Sequence, residues 1–186
     1  MIAVDANLLS VLLYPNCQCH DFKTVGPIPR AIERVEYLIE QADLSKENII
    51  VPYPALGEAM VVAGPEAPLY LQRIHSFSCF LPKAFGEAAI IENAIRTRAA
   101  MDNGGKRIGT LDGAPWQKIK VDRQVVAIAI AEGAKAMYST DEDIHKICLD
   151  WGLPVYSISE IALPATQLVL SQAENEKDSE ADINPR

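Results

Sequence analysis

No apolar run in this sequence reaches the ~18 residues that a membrane-crossing helix needs, so nothing suggests a membrane span. The N-terminus has no basic segment ahead of an apolar stretch, so it does not read as a secretory leader. Cysteine is scarce: Cys17, Cys19, Cys79 and Cys148 are unevenly spread and do not form a disulfide framework. That usage points to a reducing, cytoplasmic setting. Cys17-Gln18-Cys19-His20 has the look of half a zinc site. His75, Cys79, His145 and Cys148 supply no second tight pair, so loop and core thiols are the expectation. The three histidines, His20, His75 and His145, read as surface or packing residues.

Positive charge is also short, with 17 basic against 25 acidic residues and a formal charge of −8. Five acids and two bases fall in residues 174–186, so this end carries −3 and the rest −5. An acidic body argues against electrostatic capture of nucleic acid over the whole surface. It leaves room for a local basic patch, and for a metal site whose ligands add to the acid count.

At 186 residues, 49% of them hydrophobic, the chain can bury a proper core. Residues 1–163 read as one domain and 164–186 as a C-terminal segment, largely a disordered acidic tail. The pattern alternates short apolar strands with helices. Strands are expected at 1–5, 48–52, 79–82, 135–139 and 153–156. Helices are expected at 7–14, 30–43, 54–63, 85–102, 122–133 and 140–151, with another turn or two at 68–75. Pro54 suits a first helical turn, and Gly64-Pro65 breaks that helix. In the helix from Phe85, Ala88, Ile91, Ile95 and Ala99 share one face. The helix opened by Asp122 carries Val125, Val126, Ala129, Ile130 and Gly133 at helical spacing. Residues 14–30 and 108–121 read as loops. Strands alternating with helices imply an α/β fold with a parallel sheet.

The acids fall at telling places. Asp5 follows the first strand, Glu58 lies in the helix after the second, and Asp141 and Asp143 follow the fourth. Asp122 opens the helix that leads into the fourth strand. In a parallel sheet all of these reach one edge. Carboxylates crowded there repel one another. A hard divalent cation with oxygen ligands removes that conflict. Each acid also has a simpler reading. Asp122 suits a helix N-cap. Ser139-Thr140-Asp141-Glu142 fits a capping box, and Asp141 and Asp143 suit the positive end of a helix dipole. Glu58 alone suits a solvated helix face. Asp5 alone has no obvious capping duty.

These segments together resemble the PIN-domain family, which includes VapC-type toxin ribonucleases. The likeness rests on Val4-Asp5-Ala6-Asn7, on Val51-Pro52-Tyr53-Pro54-Ala55-Leu56-Gly57-Glu58, on 122–129 with Gly133, and on Ser139-Thr140-Asp141-Glu142-Asp143-Ile144. It extends over residues 1 to about 157. It implies a five-stranded parallel sheet flanked by helices on both sides, and Mg²⁺- or Mn²⁺-dependent cleavage of RNA. It further implies Asp5, Glu58, Asp122 and Asp141 as the acidic catalytic site. Asp5, Asp122, Asp141 and the auxiliary Asp143 would hold the metal, supported by Asn7 and Ser139. A protein antitoxin and a homodimer are the partners expected of such a chain. The segments 14–30 and 106–121 are long for a compact toxin, and an acidic tail is not a family hallmark.

Between Arg96 and Arg123 seven bases face three acids, a local charge of +4. Lys106, Arg107, Lys118, Lys120 and Arg123, with Trp116 for stacking, are the candidate RNA contacts. A solvated face is the plain alternative. A non-catalytic scaffold that works through protein contacts is a second functional class. A haloacid-dehalogenase-type phosphatase is a third, but it wants an aspartate where this chain has Asn7. No glycine-rich phosphate loop follows the first strand.

Overall fold

The computed structural model of the chain describes residues 1–14, 17–23, 26–104 and 115–164. The expected acidic tail lies outside them, apart from Pro164. Five strands form one sheet: β1 (Ile2–Val4), β2 (Ile49–Pro52), β3 (Phe80–Lys83), β4 (Met137–Tyr138) and β5 (Val155–Tyr156). Their order is β3-β2-β1-β4-β5, and every pairing is parallel. Helices complete the alternation: α1 (Ala6–Leu13), α2 (Ala31–Leu44), α3 (Tyr53–Ala63), α4 (Ala67–Ser76), α5 (Glu87–Gly104), α6 (Trp116–Ala131) and α7 (Glu142–Trp151).

Strand periodicity divides the core in two. Ile2, Val4, Ile49 and Val51 point into a cluster with α1, α2 and α4. Ala3, Ile50 and Met137 point the other way, into a cluster with α6 and α7. Helix α3 serves both, through Leu56 and Ala59 on one side and Ala55 on the other. The sheet is therefore covered on both faces, as expected. Both faces being buried explains why the strands are continuous apolar runs rather than alternating ones.

Local chemistry sets the ends of the helices. Pro52 leads into α3 and Pro54 sits in its first turn, where a missing N–H costs nothing. Gly152 ends α7 in the left-handed region at φ 76°, and its N–H returns to the Cys148 and Leu149 carbonyls. Residues 17–23 and 26–30 form neither helix nor strand, matching the expected loop. One antiparallel bridge joins His20 to Pro27 there. Buried Asp21 ties this loop to the short 3₁₀ turn Ile158–Glu160, accepting bonds from Ser157, Ser159 and the Lys23 N–H.

One expectation about the helices needs correction. Helix α6 begins at Trp116, not at Asp122, so residues 116–121 are helical rather than loop. The reason is packing: Ile119 is fully buried, one turn before Asp122, and anchors the extra turns in the core. In α5 the stripe of Ile91 and Ile95 faces outward, at 58% and 61% exposure. The inner face of α5 is small and polar instead. Ala89 is buried there. Arg96 donates to the Trp151 carbonyl at 2.7 Å, and Arg123 of α6 donates to the Thr97 hydroxyl at 3.5 Å.

Candidate metal centre

The strand order places a switch point between β1 and β4. From β1 the chain runs outward one way to β2 and β3, then crosses back to β4 and β5. In open α/β sheets the crevice beyond the carboxyl ends at such a point is where ligands sit. Here Asp5 leaves β1 and Ser139 leaves β4 side by side.

Asp5 is buried and does two jobs. One oxygen accepts the Leu8 N–H at 3.0 Å, which makes Asp5 the N-cap of α1. The other accepts a hydrogen bond from the Ser139 hydroxyl. The expectation that Asp5 has no capping duty is therefore wrong; α1 starts one residue after the strand and needs its cap there. Burial pushes the Asp5 carboxyl up to about 6, against the lowering effect of the bonds from Ser139 and Leu8.

Asp122 has the opposite history. It is seven residues into α6 and caps nothing; Pro115 is the residue ahead of that helix. It is buried, and burial pushes its carboxyl to about 6, although Lys118 pulls the other way. Asp141 is the N-cap of α7, accepting the Asp143 and Ile144 N–H groups at 2.8 and 3.2 Å. The cap is thus Asp141 and not Ser139. Ser139 instead accepts the Asp141 N–H at 3.0 Å while donating to Asp5. Asn7 donates to the Thr140 hydroxyl at 3.0 Å, fixing α1 against the same turn.

Among the described residues, one group of acids has the spacing of a metal site. Asp122, Asp141 and Asp143 offer oxygens that all lie within 4.8 Å of one another. Asp143, expected as an auxiliary, is a full member of this triad. Asp5 and Glu58 are not members, but they line the same cavity as Asp122 and Asp141. That cavity is about 390 Å³, with Val61, Val62, Val125 and Ile144 among its apolar walls. Glu58 sits on its α3 side, and burial raises its carboxyl above the usual range. The donor set is all carboxylate, without thiol or imidazole, and suits a hard cation such as Mg²⁺ or Mn²⁺.

Lys118 stands in the middle of the triad. Its ammonium lies 3.0 Å from Asp122, 3.1 Å from each oxygen of Asp141 and 2.6 Å from Asp143. Burial works against its charge, yet the bonds it donates to Asp143, Asp122 and Asp141 win and hold it above the usual lysine range. The position was foreseen as an RNA contact; three carboxylates engage it instead. Of the other basic candidates, Arg123 is buried, 5.9 Å from the Trp116 ring centre. Lys120 is exposed and lines a groove of about 420 Å³ between α5 and α6, shared with Arg98, Trp116 and Gln124. Lys106 and Arg107 lie outside the described residues.

One supporting residue had no signal in the sequence. His145 is buried, and its Nε2 lies 2.7 Å from the Ser139 carbonyl. A carbonyl only accepts, so Nε2 carries the proton. Phe22 packs edge-on against the imidazole at 4.8 Å. His145 thereby holds the turn that presents Ser139 and Asp141.

No protein-family model and no curated protein sequence matches this chain. Solved structures do. One is a chain in the crystal structure of VapBC2 from Rickettsia felis bound to a DNA fragment from their promoter. It matches with a TM-score of 0.54 and 14% identity, over 84% of this chain and 98% of that one. A chain of FitAB bound to the IR36 DNA fragment matches with a TM-score of 0.52 and 16% identity, over 87% of this chain and 98% of that one. The fold is PIN-like. A five-stranded parallel sheet between helices is the architecture the sequence resemblance implied. Asp5, Glu58, Asp122 and Asp141 line the cavity just described, and Asp143 joins it through the cluster with Asp122 and Asp141. No described helix is long and apolar enough to cross a membrane.

Proposed function

We propose that the protein is a metal-dependent ribonuclease that hydrolyses RNA phosphodiester bonds, and that it is the toxin of a toxin–antitoxin pair. One observation carries the nuclease reading. Carboxylate oxygens of Asp122, Asp141 and Asp143 lie within 4.8 Å of one another, and Asp122 and Asp141 share a cavity with buried Asp5. Such a crowd of like charges is costly unless cations balance it, and the single ammonium of Lys118 offsets only one of the three.

Asp122, Asp141 and Asp143 would hold Mg²⁺ or Mn²⁺, with Asp5 behind them. A bound ion of this kind polarises a phosphoryl oxygen and lowers the pKa of a water. Ser139 and the α1 cap keep Asp5 in one orientation, and His145 holds the turn that carries Asp141. Glu58 makes no ion pair among the described residues, and its raised carboxyl suits it to accept a proton. Lys120 and Trp116, which line the groove between α5 and α6, would take a phosphate and a base of the flanking RNA.

The toxin reading draws support from the fold shared with VapBC2 and FitAB chains. Exposed Val61, Val62 and Leu69 on α3 and α4, with Ile91 and Ile95 on α5, offer apolar surface of the kind that partners or a second copy cover. The test is cleavage of a mixed RNA pool by purified protein in Mn²⁺ or Mg²⁺. Activity should vanish in excess EDTA and in Asp141→Asn. Full activity in either case rules the mechanism out. Soluble, folded protein with no cleavage of any RNA and no Mn²⁺ binding would favour a PIN-like scaffold that acts through protein contacts.

A further inference from the structure

Lys118 is i−4 from Asp122 on α6, so helix geometry fixes the pair on one face. An ammonium has three N–H donors. Here it meets three carboxylates, all at 3.1 Å or less. A small dication held by Asp122, Asp141 and Asp143 would need the same gap between their oxygens. Two cations cannot share it. Resting on the metal reading above, we propose that Lys118 is a tethered counter-cation that occupies the Asp122–Asp141–Asp143 triad and must be displaced when the divalent ion enters. It thereby sets the metal concentration the site requires.

The side chain has the freedom this needs. Lys118 is 39% exposed, and it lines the 390 Å³ cavity that also contains Glu58. A lysine ends in a compact charge on a flexible four-carbon stem, so it can leave the carboxylates without disturbing the helix. The same ammonium explains how three close acids are tolerated in the protein without metal. It offsets one of their three charges from within the chain.

Calorimetric titration with Mn²⁺ separates the possibilities. Lys118→Met should bind Mn²⁺ at least tenfold more tightly than the wild type. In EDTA it should melt at a lower temperature, and saturating Mn²⁺ should raise its melting temperature more than it raises the wild type's. Lys118→Arg, which keeps the charge, should stay within a few-fold of wild-type affinity. If Lys118→Met does not fold, Lys118→Gln carries the same expectation. Unchanged or weaker Mn²⁺ affinity in the uncharged variant, with wild-type binding intact, overturns the proposal and leaves the metal site standing. So does a rise in KM for RNA with no change in Mn²⁺ affinity, which would make Lys118 a phosphate contact. Absence of Mn²⁺ binding in wild type and variant alike overturns both readings.

Discussion

Replacing Asp122 with asparagine should stabilise the metal-free protein while destroying its proposed function. The Asp122 carboxyl is raised from 3.8 to about 6, with burial as the main cause. A rise of about two units corresponds to roughly 3 kcal/mol, at ~1.36 kcal/mol per unit. The sign follows from proton binding. Below pH 3.8 the group is protonated folded and unfolded, and no penalty exists. Between 3.8 and about 6 the unfolded chain loses its proton first, so stability falls as pH rises. Above about 6 the full penalty applies. Asparagine keeps the shape without the charge, and Lys118 retains Asp141 and Asp143. A buried amide recovers only part of the gain, so the expected stabilisation at pH 7.5 is about 1–3 kcal/mol, or roughly 2–12 °C in Tm for a chain of this size. Thermal melts of both proteins in EDTA, at several pH values between 4 and 8, measure it. The gain should shrink steadily as pH falls through 6 toward 4. A variant that is less stable at pH 7.5, or a gain that ignores pH, would refute the reasoning.

Three further outcomes are expected. Asp5→Asn should fold normally, because asparagine also caps helices, and should lose RNA cleavage; Asp5→Ala should cost a further ~1–2 kcal/mol by denaturant titration, from the lost cap and the stranded Ser139 hydroxyl. Mn²⁺ affinity, followed by calorimetry from pH 8 to 5, should be flat above about 6 and then fall by up to ~10-fold per unit for each proton taken up, because Asp5 and Asp122 titrate there; constant affinity down to pH 5 contradicts it. Lys120→Ala and Trp116→Ala should raise KM for RNA several-fold and leave Mn²⁺ affinity alone; a loss of kcat with unchanged KM would place these residues elsewhere in the reaction.

Much of the fold is legible in the chain because its periodicities are simple. The runs ending at Val4 and Pro52 can only be buried strands, and the alternation with helices forces a parallel sheet. Asp5 was legible as a strand-end acid. Its capping role was overlooked, since it depends on α1 starting one residue later with no loop between. Asp122 was found for a weak reason. Gly113 and Pro115 made the preceding stretch look like loop, yet Trp116, Ile119, Arg123 and Val126 continue the helical spacing upstream. In α5, Ile91 and Ile95 obey helical periodicity as core residues do, yet they face outward. Periodicity shows that a face is apolar and not what covers it. Lys118 could not be assigned from sequence at all. It reads as one of seven bases in a positive stretch until the tertiary fold sets α6 against the start of α7.

The central position of β1 has a consequence for how the protein is made. Its partners on either side, β2 and β4, come from residues 49–52 and 137–138. Asp141 and Asp143 are built some 136 and 138 positions after Asp5. At ~5–20 residues per second of synthesis, roughly 7–28 s separate them. Throughout that interval β1 has one edge unpaired, and the acids of α7 do not yet exist. The acidic cluster therefore cannot assemble on a growing chain until residue 143 has been added and β4 has closed on β1.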